Sequence, residues 1–273
     1  MFLSKKKYLA KRTLARYLGI SRASIYYKSR LSIKDNEVLP AIRRVMRKNP
    51  SYGHRRIAIA LGINKKRVLR IMRRYALTPM LKRRKPINYI GKPANSKYPN
   101  LLKNMCPIAP NVIWSSDFTY INYRGRFIYL CTVIDIFSRV VLGWNISTSH
   151  TAELVKKALI KACENTGSIP DILHTDQGVE YESREMNDLA EDLNITISRC
   201  NKASPWQNGC QEAFFSNFKL DLGNVKRFAS IAELYEVIHS SINYYNKERI
   251  HLKLKMSPLK FLERYKIKQK KLV

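Results

Sequence analysis

Three β-rich runs follow one another at residues 112–122, 127–137 and 140–147. The pairs Arg124-Gly125 and Ser138-Arg139 between them are short enough to be hairpin turns, so the three runs should pair antiparallel. The period then changes. Over residues 151–166, Leu154, Ala158, Leu159 and Ala162 take one side of a helix, and Lys156, Lys157 and Lys161 take the other. A short apolar run ending at Asp176 reads as a buried strand, followed by a helix over 183–193 and a strand over 195–200. Pro205 and Gly209 signal the start of a helix whose spine is Phe214, Phe215, Phe218 and Leu222. Residues 232–245 form another amphipathic helix, and Ser257-Pro258-Leu259 opens a last short one.

Three antiparallel strands, then helix, strand, helix, strand, helix, is the order of an RNase H-like mixed five-stranded sheet in an α/β fold. That arrangement sets the first and fourth strands side by side. It brings Asp117 and Asp176 together at one edge, with the helix bearing Glu212 packed across them.

The N-terminal region reads as all-α, with two helix-turn-helix units. In the first, Ala15 sits at the helix crossing, Gly19 in the turn and Ile25 in the second helix, with Ser21 as its cap. Ala58, Gly62 and Val68 repeat that pattern 43 residues on, with Asn64 capping. The exposed positions Arg22, Ser24 and Lys28, and Lys65, Lys66 and Arg67 in the second copy, are the candidates for approaching DNA. From 77 to 110 the periodicity fails, and six prolines punctuate the basic run Lys82-Arg83-Arg84-Lys85. The expected division is 1–35 and 36–80 for the two helix-turn-helix units, 81–110 for a basic Pro-rich linker, 111–225 for the α/β core and 226–273 for C-terminal helices completing it.

Charge sharpens this picture. The chain carries +31. Residues 1–110 hold 29 Lys and Arg against only Asp35 and Glu37, whereas residues 111–273 hold 22 against 18 acids. A field this basic seeks a polyanion, and nucleic acid is the first candidate. No apolar stretch approaches a membrane span and the N-terminus lacks a signal-peptide core, so the expected location is the cytoplasm of a prokaryote, at the nucleoid when bound. Five cysteines with no CxxC pair read as reduced thiols, not as a zinc set.

The chemistry lies in the near-neutral second half. A carboxylate inside a β-prone strand is costly to bury unless it is paired or bound to metal. Three acids at one sheet edge, Asp117, Asp176 and Glu212, are what two Mg²⁺ ions need, with Mn²⁺ as a possible substitute. Asp117 would bridge both ions, Asp176 would hold one and Glu212 the other. Asp135 and His174 are read as supporting these ligands from behind. Lys219, two helical turns after Glu212, is read as touching the DNA backbone or a nearby carboxylate.

Five motifs in order carry a family resemblance that covers essentially the whole chain. They are Ser51-Tyr52-Gly53-His54-Arg55-Arg56-Ile57, Trp114-Ser115-Ser116-Asp117-Phe118-Thr119-Tyr120, His174-Thr175-Asp176-Gln177-Gly178, Glu212-Ala213-Phe214-Phe215 with Lys219, and Tyr245-Asn246 through Arg249 and His251. Thirty-five residues separate Asp176 from Glu212. With these marks the chain resembles DDE-type insertion-sequence transposases with a retroviral-integrase-like core, most closely the downstream-frame (OrfB) product of the IS-three family. The resemblance departs from the usual pattern at Ala213, where a Ser is common, and at Ser115-Ser116, where Val-Thr is more usual.

The resemblance implies Mg-dependent cleavage and strand transfer at the ends of an insertion sequence. It further implies a homo-oligomer acting on double-stranded DNA, both element ends and target, and an upstream-frame partner protein. Two other readings fit the residues less well: a sequence-specific DNA-binding regulator with an inactive integrase-like domain, and a nuclease on the same fold acting on particular structures or RNA:DNA hybrids.

Overall fold

The computed structural model describes residues 10–26, 30–80, 99–103, 105, 107–200 and 208–271. Lys28, residues 81–98 of the expected linker and Pro205 lie outside the described residues.

β1 (Ile113–Tyr123), β2 (Arg126–Asp135) and β3 (Val141–Ser147) form the antiparallel meander that the turns predicted. β4 (Ile172–Thr175) runs parallel to β1, and β5 (Thr196–Arg199) runs parallel to β4, giving the order β3-β2-β1-β4-β5. Strand side chains alternate between faces, so the two sides of β1 carry different cores. Trp114 joins Cys131, Val133, Leu154, Leu159 and Met186 on one face, under α6 (Ala152–Thr166) and α8 (Arg184–Asp192). Ile121 and Tyr123 join Leu130, Phe214, Phe218, Leu234 and Ile238 on the other, under α9 (Gly209–Leu222) and α10 (Ile231–Lys247). The result is a helix–sheet–helix sandwich. Gly143 sets its tightest contact. A Cβ there would meet the Ala158 carbonyl oxygen at 2.4 Å and the Ala162 amide at 2.5 Å, so α6 lies directly on β3. A short helix not read from the sequence, α7 (Val179–Glu182), follows β4, and α11 (Pro258–Lys270) closes the chain.

The N-terminal region is helical: α1 (Lys11–Tyr17), α2 (Arg22–Tyr26), α3 (Arg30–Lys48), α4 (His54–Leu61) and α5 (Lys65–Arg74). The repeat is visible in the backbone. Gly19 and Gly62 both take left-handed conformations, and the following residue donates its amide to the alanine carbonyl, Ile20 to Ala15 and Ile63 to Ala58, at 3.1 Å each. The long helix α3 crosses the boundary expected at 35/36 and packs with α4 and α5. Ile42, Tyr52, Ile57, Val68 and Ile71 form their shared core.

The stretch before β1 is partly docked. Arg199 donates its amide to the Pro99 carbonyl, the Leu101 amide donates to Ser198 Oγ at 3.0 Å, and Leu101 and Leu102 pack against Ile113, Ile136 and Ile172.

The C-terminal segment ties the helical unit to the sandwich. Arg249, almost fully buried, donates to Asp221 Oδ2 (2.6 Å) and Asn217 Oδ1 (2.9 Å) on α9 and to Ser51 Oγ (3.3 Å) ahead of α4. The Ile250 amide donates to the Tyr52 hydroxyl at 2.7 Å, and Arg56 Nε donates to the Ile250 carbonyl at 2.9 Å. The first and last of the five sequence motifs are therefore the two sides of one seam.

Candidate active site

Ser115 of β1 is level with His174 of β4 in the parallel register. Two residues further along, Asp117 and Asp176 leave neighbouring strands, about 4.8 Å apart in the hydrogen-bonding direction. Asp117 has the parity of Ser115, Ile121 and Tyr123, so it rises on the face that α9 covers.

Polar contacts dock the first turn of α9 there. Gln211 is fully buried; its amide nitrogen donates to the Ser115 carbonyl (2.7 Å) and the Thr132 carbonyl (3.1 Å), and its oxygen accepts from Thr132 Oγ1 (2.9 Å). Asn208 accepts from Ser115 Oγ at 2.6 Å and donates to Asp117 Oδ2 at 3.4 Å. Glu212 is next to Gln211 and about 100° further round the helix, so it is exposed beside the sheet edge while Gln211 is pinned beneath it.

The charges interact. Burial first, then the Asp176 charge, and less strongly that of Glu212, push the Asp117 carboxyl up to about 8, against the Phe118 amide bonded to it and the charge of Lys219. Burial and Glu180 raise Asp176, which the Gly178 amide holds at 3.0 Å. The Cys200 thiol is pushed up to about 12 by burial and then by Asp176, Asp117 and Glu212, so one side chain feels all three acids. A Cβ at Gly178 would meet Glu180 Oε2 at 2.8 Å and Asp176 Oδ1 at 3.2 Å, so a side chain there would displace the end of one or both carboxylates.

Oxygen donors whose charges repel one another inside a half-buried edge match the chemistry of hard divalent cations. Among the described residues, however, no three His, Cys, Asp or Glu side chains already stand close enough to ligate one ion. Asp117 and Asp176 share the edge as expected, and Glu212 flanks it.

The other expected positions separate. Lys219 lies with its ammonium 5.0 Å from the centre of the Tyr120 ring, close enough to Asp117 to lower its pKa. His174 is fully buried, with Nδ1 at 3.0 Å from Ser198 Oγ and Nε2 at 3.0 Å from Cys200 Sγ; it braces β4 against β5. Asp135 corrects the sequence reading. It pairs with Trp114, three positions from the Asp117–Thr132 pair, and its carboxylate accepts from the Ser138 amide and hydroxyl and from the Asn111 amide. It builds the β2–β3 turn instead of backing the carboxylates.

Arg22, Ser24, Lys65 and Lys66 are exposed, although the Ser24 hydroxyl lies 2.8 Å from that of Ser21. Arg67 is a second correction. It turns inward to Asp35 Oδ1 at 3.2 Å and to the Lys34 carbonyl, beside Arg70, which holds the same buried carboxylate. An isolated acid in so basic a stretch was the signal that a neighbouring Arg would be claimed internally.

Asn208, Gln211 and Glu180 were not singled out from the sequence. The signal for Gln211 was present: an amide on a helix otherwise buried through phenylalanines must find partners in whatever it covers.

The family description "Integrase core domain" matches residues 107–205, and a second description of the same name matches 193–258. The chain is 34% identical over 205 residues to the transposase for insertion sequence element IS904 of Lactococcus lactis, covering 74% of this chain and 81% of the relative. It is 30% identical over 261 residues to the putative transposase InsK for insertion sequence element IS150 of Escherichia coli, covering 91% and 92%. Among solved structures, a chain of the simian T-cell lymphotropic virus intasome in complex with PP2A regulatory subunit B56 gamma matches with a TM-score of 0.51 at 19% identity, covering 77% of this chain and 70% of that one, a likeness of fold.

Proposed function

Because this chain belongs to the insertion-sequence transposases that carry an integrase core, we propose that it binds the ends of an insertion sequence, cuts one strand at each end and joins the freed ends to target DNA. The observation that supports the reading is that Asp117 on β1 and Asp176 just past the end of the neighbouring parallel β4 interact, with the charge of Glu212 on α9 also raising Asp117.

In this reading Asp117, Asp176 and Glu212 hold two divalent cations, Mg²⁺ with Mn²⁺ as substitute. Such ions neutralise charge at the phosphorus under attack and make the attacking hydroxyl more acidic. Water first breaks the phosphodiester at the element's end, leaving a 3′-hydroxyl. That hydroxyl then attacks a target phosphodiester, so one P–O bond forms as another breaks and no bond to the protein is made. Asn208 and Gln211 fix the first turn of α9, and with it the carboxylate of Glu212. Lys219 keeps a positive charge beside Asp117 for a DNA phosphate. Arg22, Ser24, Lys65 and Lys66 face outward for DNA, and Lys28 shares that role in the sequence reading. Two ends joined to one target call for more than one copy of the chain, and an upstream-frame partner would add a further DNA-binding unit.

Purified protein with Mg²⁺ and a labelled duplex carrying the element end should give 3′-end nicks and strand-joined products, lost in Asp117→Asn, Asp176→Asn and Glu212→Gln. A regulator with an inactive core would bind that duplex and leave it uncut.

A further inference from the structure

A cleft of about 380 Å³ is lined by Asn208, whose amide donates to Asp117, and by Arg139, Cys210, Asn217, His251 and Lys253; Cys210, Ala213 and Asn217 lie on the flank of α9 opposite Glu212. The cleft's positive groups come from two separated parts of the chain: Arg139 from the β2–β3 turn and Lys253 from the segment after α10. Behind them the charges of Arg56 and Arg249 also reach His251, which burial and these cations hold neutral. Arg249 is matched by Asp221, but among the described residues no carboxylate pairs with Arg139 or Lys253. Arg139 Nε and His251 Nδ1 are buried without hydrogen-bond partners, while an Arg139 terminal nitrogen donates to Cys210 Sγ. A buried guanidinium N–H without an acceptor, in a wall with a surplus of positive charge, calls for an anion.

The turn is built to present that guanidinium. Arg139 takes a left-handed conformation (φ 66°), unfavourable for an arginine, and the buried Asp135 holds it there: its carboxylate caps Ser138, and its carbonyl accepts the Arg139 amide at 2.8 Å. The floor, formed in part by Ile136, Phe214 and Tyr245, is apolar. Cations above an apolar floor suit a nucleotide, its phosphate on the charges and its base and sugar below.

We propose that this cleft binds element-end DNA, taking a backbone phosphate on Arg139 and Lys253 on the flank of α9 opposite Glu212. The proposal rests on the transposase reading and adds a second contact for the DNA, away from the carboxylates.

The test measures affinity for element-end DNA against salt concentration, using the full chain, Arg139→Gln, Lys253→Gln, the double variant, and Lys157→Gln on α6 as control. Each cleft contact removed should lower the log–log salt slope by about one, and by about two in the double variant, with the control unchanged. A neutral methylphosphonate placed in turn at each phosphate of the element end should weaken wild-type binding at one position where the double variant loses nothing further. Lys253 is exposed, so its variant reports on the cleft even if Arg139→Gln fails to fold. Unchanged slopes, or a variant equally sensitive to methylphosphonate at every position, overturn the proposal. Wild-type protein that cuts element ends while the variants bind as it does overturns the cleft alone; wild-type protein that neither binds nor cuts overturns both readings.

Discussion

At the scale of single residues, the site depends on neutral side chains as much as on acids. Gln211→Leu keeps the volume but removes the bonds that Gln211 makes with the carbonyls of Ser115 and Thr132 and with the Thr132 hydroxyl in the core. It should cost about 1–3 kcal/mol in chemical denaturation. Strand cleavage should fall with DNA affinity unchanged, because Glu212 rides on the same turn; loss of affinity in step with activity would contradict that role. Arg67 gives a sharper contrast. The sequence set it beside Lys65 and Lys66 as a DNA contact, but its bonds to Asp35 and Lys34 tie α5 to α3. Arg67→Ala should therefore lower the melting temperature and change the salt slope little. Exposed Arg22→Ala should do the reverse, lowering the slope by about one.

At the scale of elements, the seam around Arg249 joins α9, the helix that carries Glu212, to the helical unit of α3–α5. The bland expectation for a basic residue in a basic protein is a solvated charge. Arg249 is instead buried, and removing it strands Asp221, whose side chain is only 18% exposed. Arg249→Ala should destabilise the protein by about 3–5 kcal/mol, read by calorimetry. A lysine should rescue it poorly, since one ammonium cannot reproduce the bonds to Asp221, Asn217 and Ser51.

The same seam sets a pH response. Burial first, then Arg139, Arg56, Arg249 and Lys253, lower His251 from 6.5 to about 4. Between those values the unfolded chain binds the proton and the folded chain does not, so stability should fall as pH drops through that window. His251→Gln should flatten the melting-temperature profile between pH 6.5 and 4; a profile parallel to wild type would show that His251 is not the group responsible. Asp35 acts lower. Hydrogen bonds from Arg70 and then Arg67 hold it below 3.8 despite burial, so its contribution is present above that pH and lost beneath it.

At the scale of the whole molecule, the charge is partitioned. Nearly all of the +31 excess belongs to the first 110 residues, while the carboxylates sit in a sandwich close to neutral. Binding and chemistry should therefore separate. Affinity for duplex DNA should fall steeply with salt in Asp117→Asn and in wild type alike, while only wild type makes product. If Asp117→Asn gave a different slope, the basic region would not be the main determinant of affinity.

Legible in the chain before folding were the strands and, α7 apart, the helices of the sandwich, the pairing of its first three strands, the repeated Ala-Gly helix pairs, and the common edge of Asp117 and Asp176. Each is written in local periodicity, turn residues or the connection rules of a mixed sheet. Only folding set Arg67 on Asp35 and buried Arg249, gave Asp135 to a turn, and fastened α9 through Gln211 and Asn208. A polar side chain's partner depends on which distant backbone groups folding strips of water, and periodicity carries no record of that. Ser51 and Arg249 stand 198 residues apart in the chain and meet only after both modules have formed.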